Sequence, residues 1–282
     1  MPDLASILLV AVIGILAGGV VNVLADDLPA RRSVRSPHYP DDFPRPFRAW
    51  LGLTAFVLGK RVSPSGAKLS WRHPVTEIAT ALSMVIALIA TSSAPNRDTL
   101  QLVFWLAYMA IFVLITVIDI EHKLILFVVI IPSALLAIID ALVTTSSTDG
   151  ANPDLQSALI GGGLGFAVFF LLYIGGYLFT YIMSQLRNQQ IDEVAFGYGD
   201  VMLITFSGLV LGWRPLIFAM FIAVFLGAFG AFLYLILARF VRRRTPTMFT
   251  ALPYGPYIVF ATVIMLLFSS EVGQILQRTA YG

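Results

Sequence analysis

Two carboxylates set into otherwise apolar sequence are the side chains best suited to chemistry in this chain. Asp119 ends an apolar run in Thr116-Val117-Ile118-Asp119-Ile120-Glu121-His122-Lys123, and Asp200 opens another in Phe196-Gly197-Tyr198-Gly199-Asp200-Val201. Ionisable residues at or inside membrane spans are costly, so each is a functional candidate by default. Two carboxyl groups held close together cannot both ionise easily; one pKa rises and the pair shares a proton. Such a pair suits acid–base peptide hydrolysis. The ionised member draws a proton from water, the protonated member polarises the scissile carbonyl, and the two titrate as a unit. Gly197 and Gly199 fit this role, because glycine allows unusual backbone angles and close approach of a substrate chain. Gly-x-Gly-Asp alone is a weak signal. Asp200 also reads as a plain helix cap, and Asp119 as a partner of nearby Lys123. Asp140 reads as a structural hydrogen-bonding group, Glu121 and His122 as interfacial. No metal site is expected at His122, which lacks a second His or Cys at ligand spacing.

The elements that must position these acids are membrane spans. The chain has 282 residues, 58% hydrophobic and 12% charged, against about 25% charged in soluble domains. Eight apolar segments emerge, at 4–25, 75–92, 100–118, 124–143, 157–183, 201–213, 215–239 and 254–270. A full crossing needs roughly 20 residues, so 201–213 is short and is expected to be tilted, broken or lining a cavity. The opening Met1-Pro2-Asp3 has no basic run before the first apolar segment, which therefore reads as a retained span rather than a removed signal. The fold class expected is an all-α polytopic membrane bundle of about eight helices. Gly161-Gly162-Gly163-Leu164-Gly165, inside an apolar segment, is expected to permit close helix contact.

Charge distribution orients the bundle. With the N-terminus outside, the cytoplasmic segments carry fifteen of the eighteen Lys and Arg residues, as the positive-inside rule requires. Nine lie in 26–73, and the Arg242-Arg243-Arg244 run reads as a cytoplasmic anchor. This topology puts Asp119 and Asp200 at the same, cytoplasmic, membrane face.

With those residues in place, the sequence resembles the bacterial type IV prepilin peptidases. Asp119-Ile120-Glu121-His122-Lys123-Leu124-Ile125 is similar to the family's first catalytic aspartate motif. Gly197-Tyr198-Gly199-Asp200-Val201, with Gly208-Leu209-Val210-Leu211-Gly212-Trp213 after it, is similar to the second. Leu252-Pro253-Tyr254-Gly255-Pro256-Tyr257 looks like a late family motif, and Gly18-Gly19-Val20-Val21-Asn22-Val23, Leu28-Pro29 and Glu77 match its opening. The resemblance implies an inner-membrane GxGD aspartyl endopeptidase that cuts prepilins and pseudopilins after a short basic leader. It implies Asp119 and Asp200 as the catalytic pair, with Gly197, Gly199, Pro253 and Gly255 as substrate-positioning residues. Asp192 and Glu193 are candidates to meet the basic leader, together with Asp41 and Asp42. Expected partners are the prepilin or pseudopilin and the lipid bilayer; nucleic acid is not among them. The division expected is 1–95, an amino-terminal region holding the basic loop 26–73, and 96–282, the membrane-embedded peptidase domain.

The departures from the family are informative. Many members carry two Cys-x-x-Cys pairs in the first loop, whereas this chain has no cysteine and shows a proline-rich basic run around Ser36-Pro37-His38-Tyr39-Pro40. Thiolate zinc is excluded. The family's N-methylation of the new N-terminus is placed in doubt, so no cofactor is expected for proteolysis, and S-adenosylmethionine only if methyltransferase activity is retained. Met202 and Leu126 stand where the family often has Lys and Pro. Three other readings stay open: an intramembrane protease of the presenilin or signal-peptide-peptidase type, a proton-coupled carrier using the two acids as a relay, and a non-catalytic pilus scaffold. The first of these carries a late Pro-Ala-Leu, which Pro253-Tyr254-Gly255-Pro256 does not match.

Overall fold

The computed structural model describes residues 2–92, 99–144, 153–187, 197–241 and 253–281. The described residues form helices α1 (Leu4–Asp27), α2 (Gly52–Val57), α3 (Arg72–Ser92), α4 (Thr99–His122), α5 (Phe127–Val143), α6 (Leu155–Arg187), α7 (Tyr198–Leu211), α8 (Trp213–Val241) and α9 (Gly255–Tyr281). They contain no β-strand, only isolated bridges. Each of the eight apolar segments read from the sequence becomes a helix, and short α2 is the addition. Helices α1, α3, α4, α6 and α8 are long and apolar enough to cross a membrane, while α5, α7 and Gly255–Ser269 of α9 are shorter apolar helices. The protein is an all-α polytopic membrane bundle. Its chain divides into two compact units, Met1–Leu126 and Phe127–Gly282.

In the amino-terminal unit, α1 packs along α3 and both meet α4. Small residues allow the approach: a Cβ on Gly14 would lie 2.5 Å from Ala81 Cα, and one on Gly18 2.6 Å from Glu77 Cα. The polar segment between α1 and α3 folds into a small lobe. Tyr39, Ala49, Ala55 and Leu69 form its core, with Phe56 packed against them. The Tyr39 hydroxyl donates to the Lys60 carbonyl at 2.7 Å, and bridges His38–Pro44 and Val62–Lys68 pin two turns. Buried Asp27 accepts from the Arg35 backbone N–H at 3.0 Å and its guanidinium at 3.1 Å.

In the carboxy-terminal unit, α7 is the central helix. Its 14 residues span about 21 Å at 1.5 Å per residue, too short for a ~30 Å hydrocarbon core. It resolves the expectation for 201–213 by burial, with Val201, Leu203, Ile204 and Phe206 fully covered and α5, α6, α8 and α9 around it. The glycine-rich stretch of α6 does make the expected close contact. A Cβ on Gly161 would strike the Gly208 carbonyl oxygen and fall 2.7 Å from Gly212 C, and one on Gly165 would fall 2.8 Å from the Ile204 carbonyl oxygen. Such backbone-to-backbone packing is how helices associate where lipid removes the hydrophobic driving force. Gly212, at φ 75°, breaks the chain between α7 and α8, a left-handed conformation that only glycine adopts freely.

Candidate functional site

Asp119 sits in the last turn of α4, 5% exposed. The helix runs on to His122, three residues past the acid, and closes with Lys123 in the left-handed region at φ 53°. The Lys123 N–H donates to the Asp119 carbonyl at 2.8 Å, a left-handed helix stop made without glycine. Glu121 and His122 are exposed, as expected. Glu121 is not idle: it pairs with Arg72 at 2.9 Å, and Arg72 also binds Asp26. These contacts tie the end of α4 to the junctions of α1 and α3.

Asp200 sits in the first turn of α7, also buried. The Gly197 N–H donates to its Oδ2 at 3.1 Å, so the acid does cap its own helix. The expectation of unusual backbone angles at Gly197 and Gly199 is corrected. Gly197 is extended at φ −85°, Gly199 is helical, and neither has positive φ. What glycine provides at 197 is space. Among the described residues, an added Cβ would meet the Asp200 carboxylate first, at 3.4 Å. Tyr198 fixes the start of α7 by packing its ring against Phe127 of α5 at 6.0 Å and Tyr173 of α6 at 5.8 Å.

The late motif converges on the same place. Tyr254, between Pro253 and Gly255, lies within the electrostatic reach of Asp200. Its ring covers Gly227 of α8, where a Cβ would strike the ring edge, while Tyr257 covers Gly230. Pro253 is half-buried and Gly255 buried at the start of α9. Within the carboxy-terminal unit Gly197 and Gly199 thus adjoin Asp200 at the start of α7, and Tyr254, with Pro253 and Gly255 on either side of it in the chain, lies within its electrostatic reach. Asp119 belongs to the amino-terminal unit. Asp192, Glu193 and the Arg242–Arg244 run lie outside the described residues.

The acids of the first loop are spent within it. Asp41 accepts from Ser63 Oγ at 2.6 Å and from Ser65 Oγ, and these hydroxyls hold its carboxyl below the usual range. Asp42 accepts from Arg35 at 3.0 Å and Arg32 at 2.8 Å, and is likewise held low, chiefly by the Arg35 hydrogen bond. Asp140 accepts from the Thr144 hydroxyl at 2.9 Å, the structural bond read from the sequence. Among the described residues no group of three His, Cys, Asp or Glu side chains is placed to hold a metal.

Two features escaped the sequence reading. Fully buried Glu77 on α3 reaches across to cap α2, accepting from the backbone N–H groups of Gly52 at 2.5 Å and Leu53 at 2.8 Å and from Asn22 Nδ2 at 3.2 Å. Thr262 of α9 donates to Ser207 of α7 at 2.8 Å in an otherwise apolar interface. Glu77 was visible as an acid at a span's edge, but its partners lie 24 and 25 positions away in a segment with no periodic pattern.

Residues 106–232, which contain both Asp119 and Asp200, match the model of the type IV leader peptidase family. Over that segment the chain is similar to that family. Three relatives named prepilin leader peptidase/N-methyltransferase show the extent of the likeness. The Pseudomonas putida protein is 27% identical over 230 residues, 80% of this chain and 69% of its own. That of Aeromonas hydrophila is 28% identical over 229 residues, 80% of this chain and 67% of its own. With the Stutzerimonas stutzeri protein the match covers 95% of this chain and 93% of the relative at 24% identity. No solved structure matches significantly. The leader peptidase match supports a protease, and it spans α4 to α8 around both candidate acids.

Proposed function

We propose that this protein is a membrane aspartyl endopeptidase that removes the short basic leader from type IV prepilin-like or pseudopilin precursors. The observation that carries the reading is that the family segment contains two buried carboxylates, Asp119 and Asp200, each at the end of an apolar helix. In the proposed reaction the ionised member of the pair takes a proton from a water as its oxygen attacks the scissile carbonyl carbon. The protonated member donates to the carbonyl oxygen. As the tetrahedral species collapses the C–N bond breaks and the amine leaves protonated. Gly197, Gly199, Pro253 and Gly255 position the substrate backbone, and Asp192 and Glu193 meet the leader's positive charge. The bacterial inner membrane, an outer N-terminus and a cytoplasmic active site complete the reading. That orientation rests on the distribution of Lys and Arg, with 1–95 as amino-terminal region and 96–282 as peptidase domain.

Proteolysis of this kind requires no cofactor. The relatives' names add an N-methyltransferase activity, which would use S-adenosylmethionine. The apolar cavity of the amino-terminal unit does not suit that molecule, since Arg35 and Arg48 are the charged groups in its wall and no carboxylate faces its sulfonium.

The test is cleavage of a prepilin-like substrate by the wild type, Asp119→Asn and Asp200→Asn. Asparagine keeps an acceptor for the Gly197 N–H while removing the titratable proton, so the cap survives and the chemistry does not. Each variant should lose at least roughly 10³-fold in rate, as loss of a principal catalytic group does, with unchanged thermal unfolding. Retained cleavage in either variant refutes the pair. Charge reversal of Asp192 and Glu193 should weaken substrate use; unaffected processing removes their role. Mass analysis of the product's N-terminus decides methylation.

A further inference from the structure

We propose that the amino-terminal unit holds one anionic phospholipid in a built site, its acyl chain in an apolar cavity beside α1 and its phosphate on Arg48. The inference is independent of the peptidase reading and rests on the shape, depth and charge of that cavity. Its volume is about 730 Å³, within the ~300–1,000 Å³ of small-molecule sites. One wall is the second half of α1, from Leu16 to Val23; the other is the lobe, through Val34, Phe47, Trp50 and Leu58.

Depth matches a lipid chain. Leu16 lies 11 residues before Asp27, the end of α1, or roughly 16 Å at 1.5 Å per residue. That is about half of a ~30 Å hydrocarbon core, one leaflet. Within that length the α1 wall of the cavity, Leu16 to Val23, covers about 10 Å along the path of one acyl chain. Its walls are open to their surroundings, with Val20 59%, Phe47 79% and Leu58 53% exposed. A polar lobe standing in water would hide such a patch. The Phe47 and Trp50 rings, 5.2 Å apart, suit the interfacial level where aromatic side chains gather.

Charge selects the headgroup. Arg35 and Arg48 are the charged residues of the wall. Arg35 is committed to Asp27 and Asp42. Exposed Arg48 makes no ion pair among the described residues. No acid lines the cavity, and the segment 26–73 has nine Lys and Arg residues against four Asp and no Glu. A phosphate at the cavity mouth therefore finds an arginine without a competitor, and a zwitterionic headgroup gains less.

The experiment is native mass spectrometry of the full-length protein in neutral detergent, titrated with phosphatidylglycerol and, separately, phosphatidylcholine of the same chains. The wild type should retain one phosphatidylglycerol saturably, with about five-fold preference over phosphatidylcholine, the worth of one arginine at an anionic surface. Arg48→Glu should abolish the preference while leaving residual chain binding. Val20→Trp, which fills the cavity from an exposed position, should abolish the saturable adduct with both lipids. Leu16→Trp repeats that test should the first variant fold poorly, thermal unfolding being the check. Equal retention of the two lipids by the wild type overturns the proposal, as does an unchanged preference in Arg48→Glu or an undiminished adduct in a folded cavity-filling variant.

Discussion

Gly161 and Gly163 lie two residues apart on α6, and their replacement by alanine should act in opposite directions. At Gly163 an added Cβ meets nothing within 4 Å. Alanine there gains only helix propensity, about 1 kcal/mol over glycine, so unfolding should shift up by about 2–4 °C for a chain of this size. At Gly161 the same propensity gain is opposed by the backbone of α7 and its exit turn. The Cβ would fall 2.7 Å from Gly212 C and 2.9 Å from Trp213 N, and would overlap the Gly208 carbonyl oxygen. Ordinary carbon contacts lie at about 3.5–4.0 Å, so the helices must part by about 1 Å. Backbone cannot rotate aside as a side chain can, which puts the cost at the upper end of the ~1–3 kcal/mol of overpacking. Net destabilisation is about 2 kcal/mol, and the two variants should differ by about 3 kcal/mol. Activity should separate them further. Asp200 stands eight residues before Gly208, about 12 Å along α7, and parting α6 from α7 displaces it. A 1 Å misplacement costs roughly 10²-fold in rate. Thermal unfolding in detergent and a timed prepilin cleavage assay measure both effects. If Gly161→Ala unfolds no lower than wild type and cleaves at the wild-type rate, the close α6–α7 crossing does not position Asp200.

Further outcomes follow from the amino-terminal lobe. Glu77→Ala removes the acceptor of the Gly52 and Leu53 backbone N–H groups, while Asn22 Nδ2 keeps the His73 carbonyl, and hydrogen bonds to charged groups are worth about 1.5–3 kcal/mol each; a loss of about 3 kcal/mol or more is expected. Glu77→Gln keeps one acceptor and should lose roughly half as much, both read by thermal unfolding and by protease cutting within 26–73. The pH response of the lobe should be one-sided. Asp41 and Asp42 have depressed pKa values in the folded state, so the stability they contribute is complete above the unfolded value of about 3.9. It is lost as pH falls through their lower folded values. Protease sensitivity of 26–73 should be flat between about pH 5 and 8 and rise below about pH 4; a rise already at pH 6 would contradict the Ser63, Ser65 and Arg35 bonds as its source.

Apolar length was the readable signal, and it located every long helix, because a span must satisfy its own backbone and announces itself by composition. The glycine run at 161–165 was readable for the same reason: small residues inside a span have few uses besides close packing. Helix ends were less so. The third segment was expected to end at 118, but α4 continues to His122 and stops at Lys123, a left-handed residue that carries no glycine signature. The polar stretch 26–73 stood out as the one place for a separate domain, but its packing was not readable. Without cysteines, 26–73 reads as a basic loop with a proline-rich run, yet four core side chains and the Asp27–Arg35–Asp42 pairing fold it. Contacts of a side chain with a distant backbone, as from Glu77 to Gly52 and Leu53, leave no period to detect.

The plain and the functional readings of Asp200 prove compatible. A cap on Gly197 uses one acceptor position of Oδ2, and an ionised carboxylate has about four. The cap holds the carboxyl in one orientation at the helix start. A residue that had to cap α7 and nothing more could as well be serine, threonine or asparagine placed before the first turn. Here the acid sits inside the first turn and is buried, with a glycine beside its carboxylate. Capping alone does not require that combination, and a carboxylate that must meet a peptide bond does. Asp200→Asn, which preserves the first role and removes the second, therefore separates them more cleanly than alanine would.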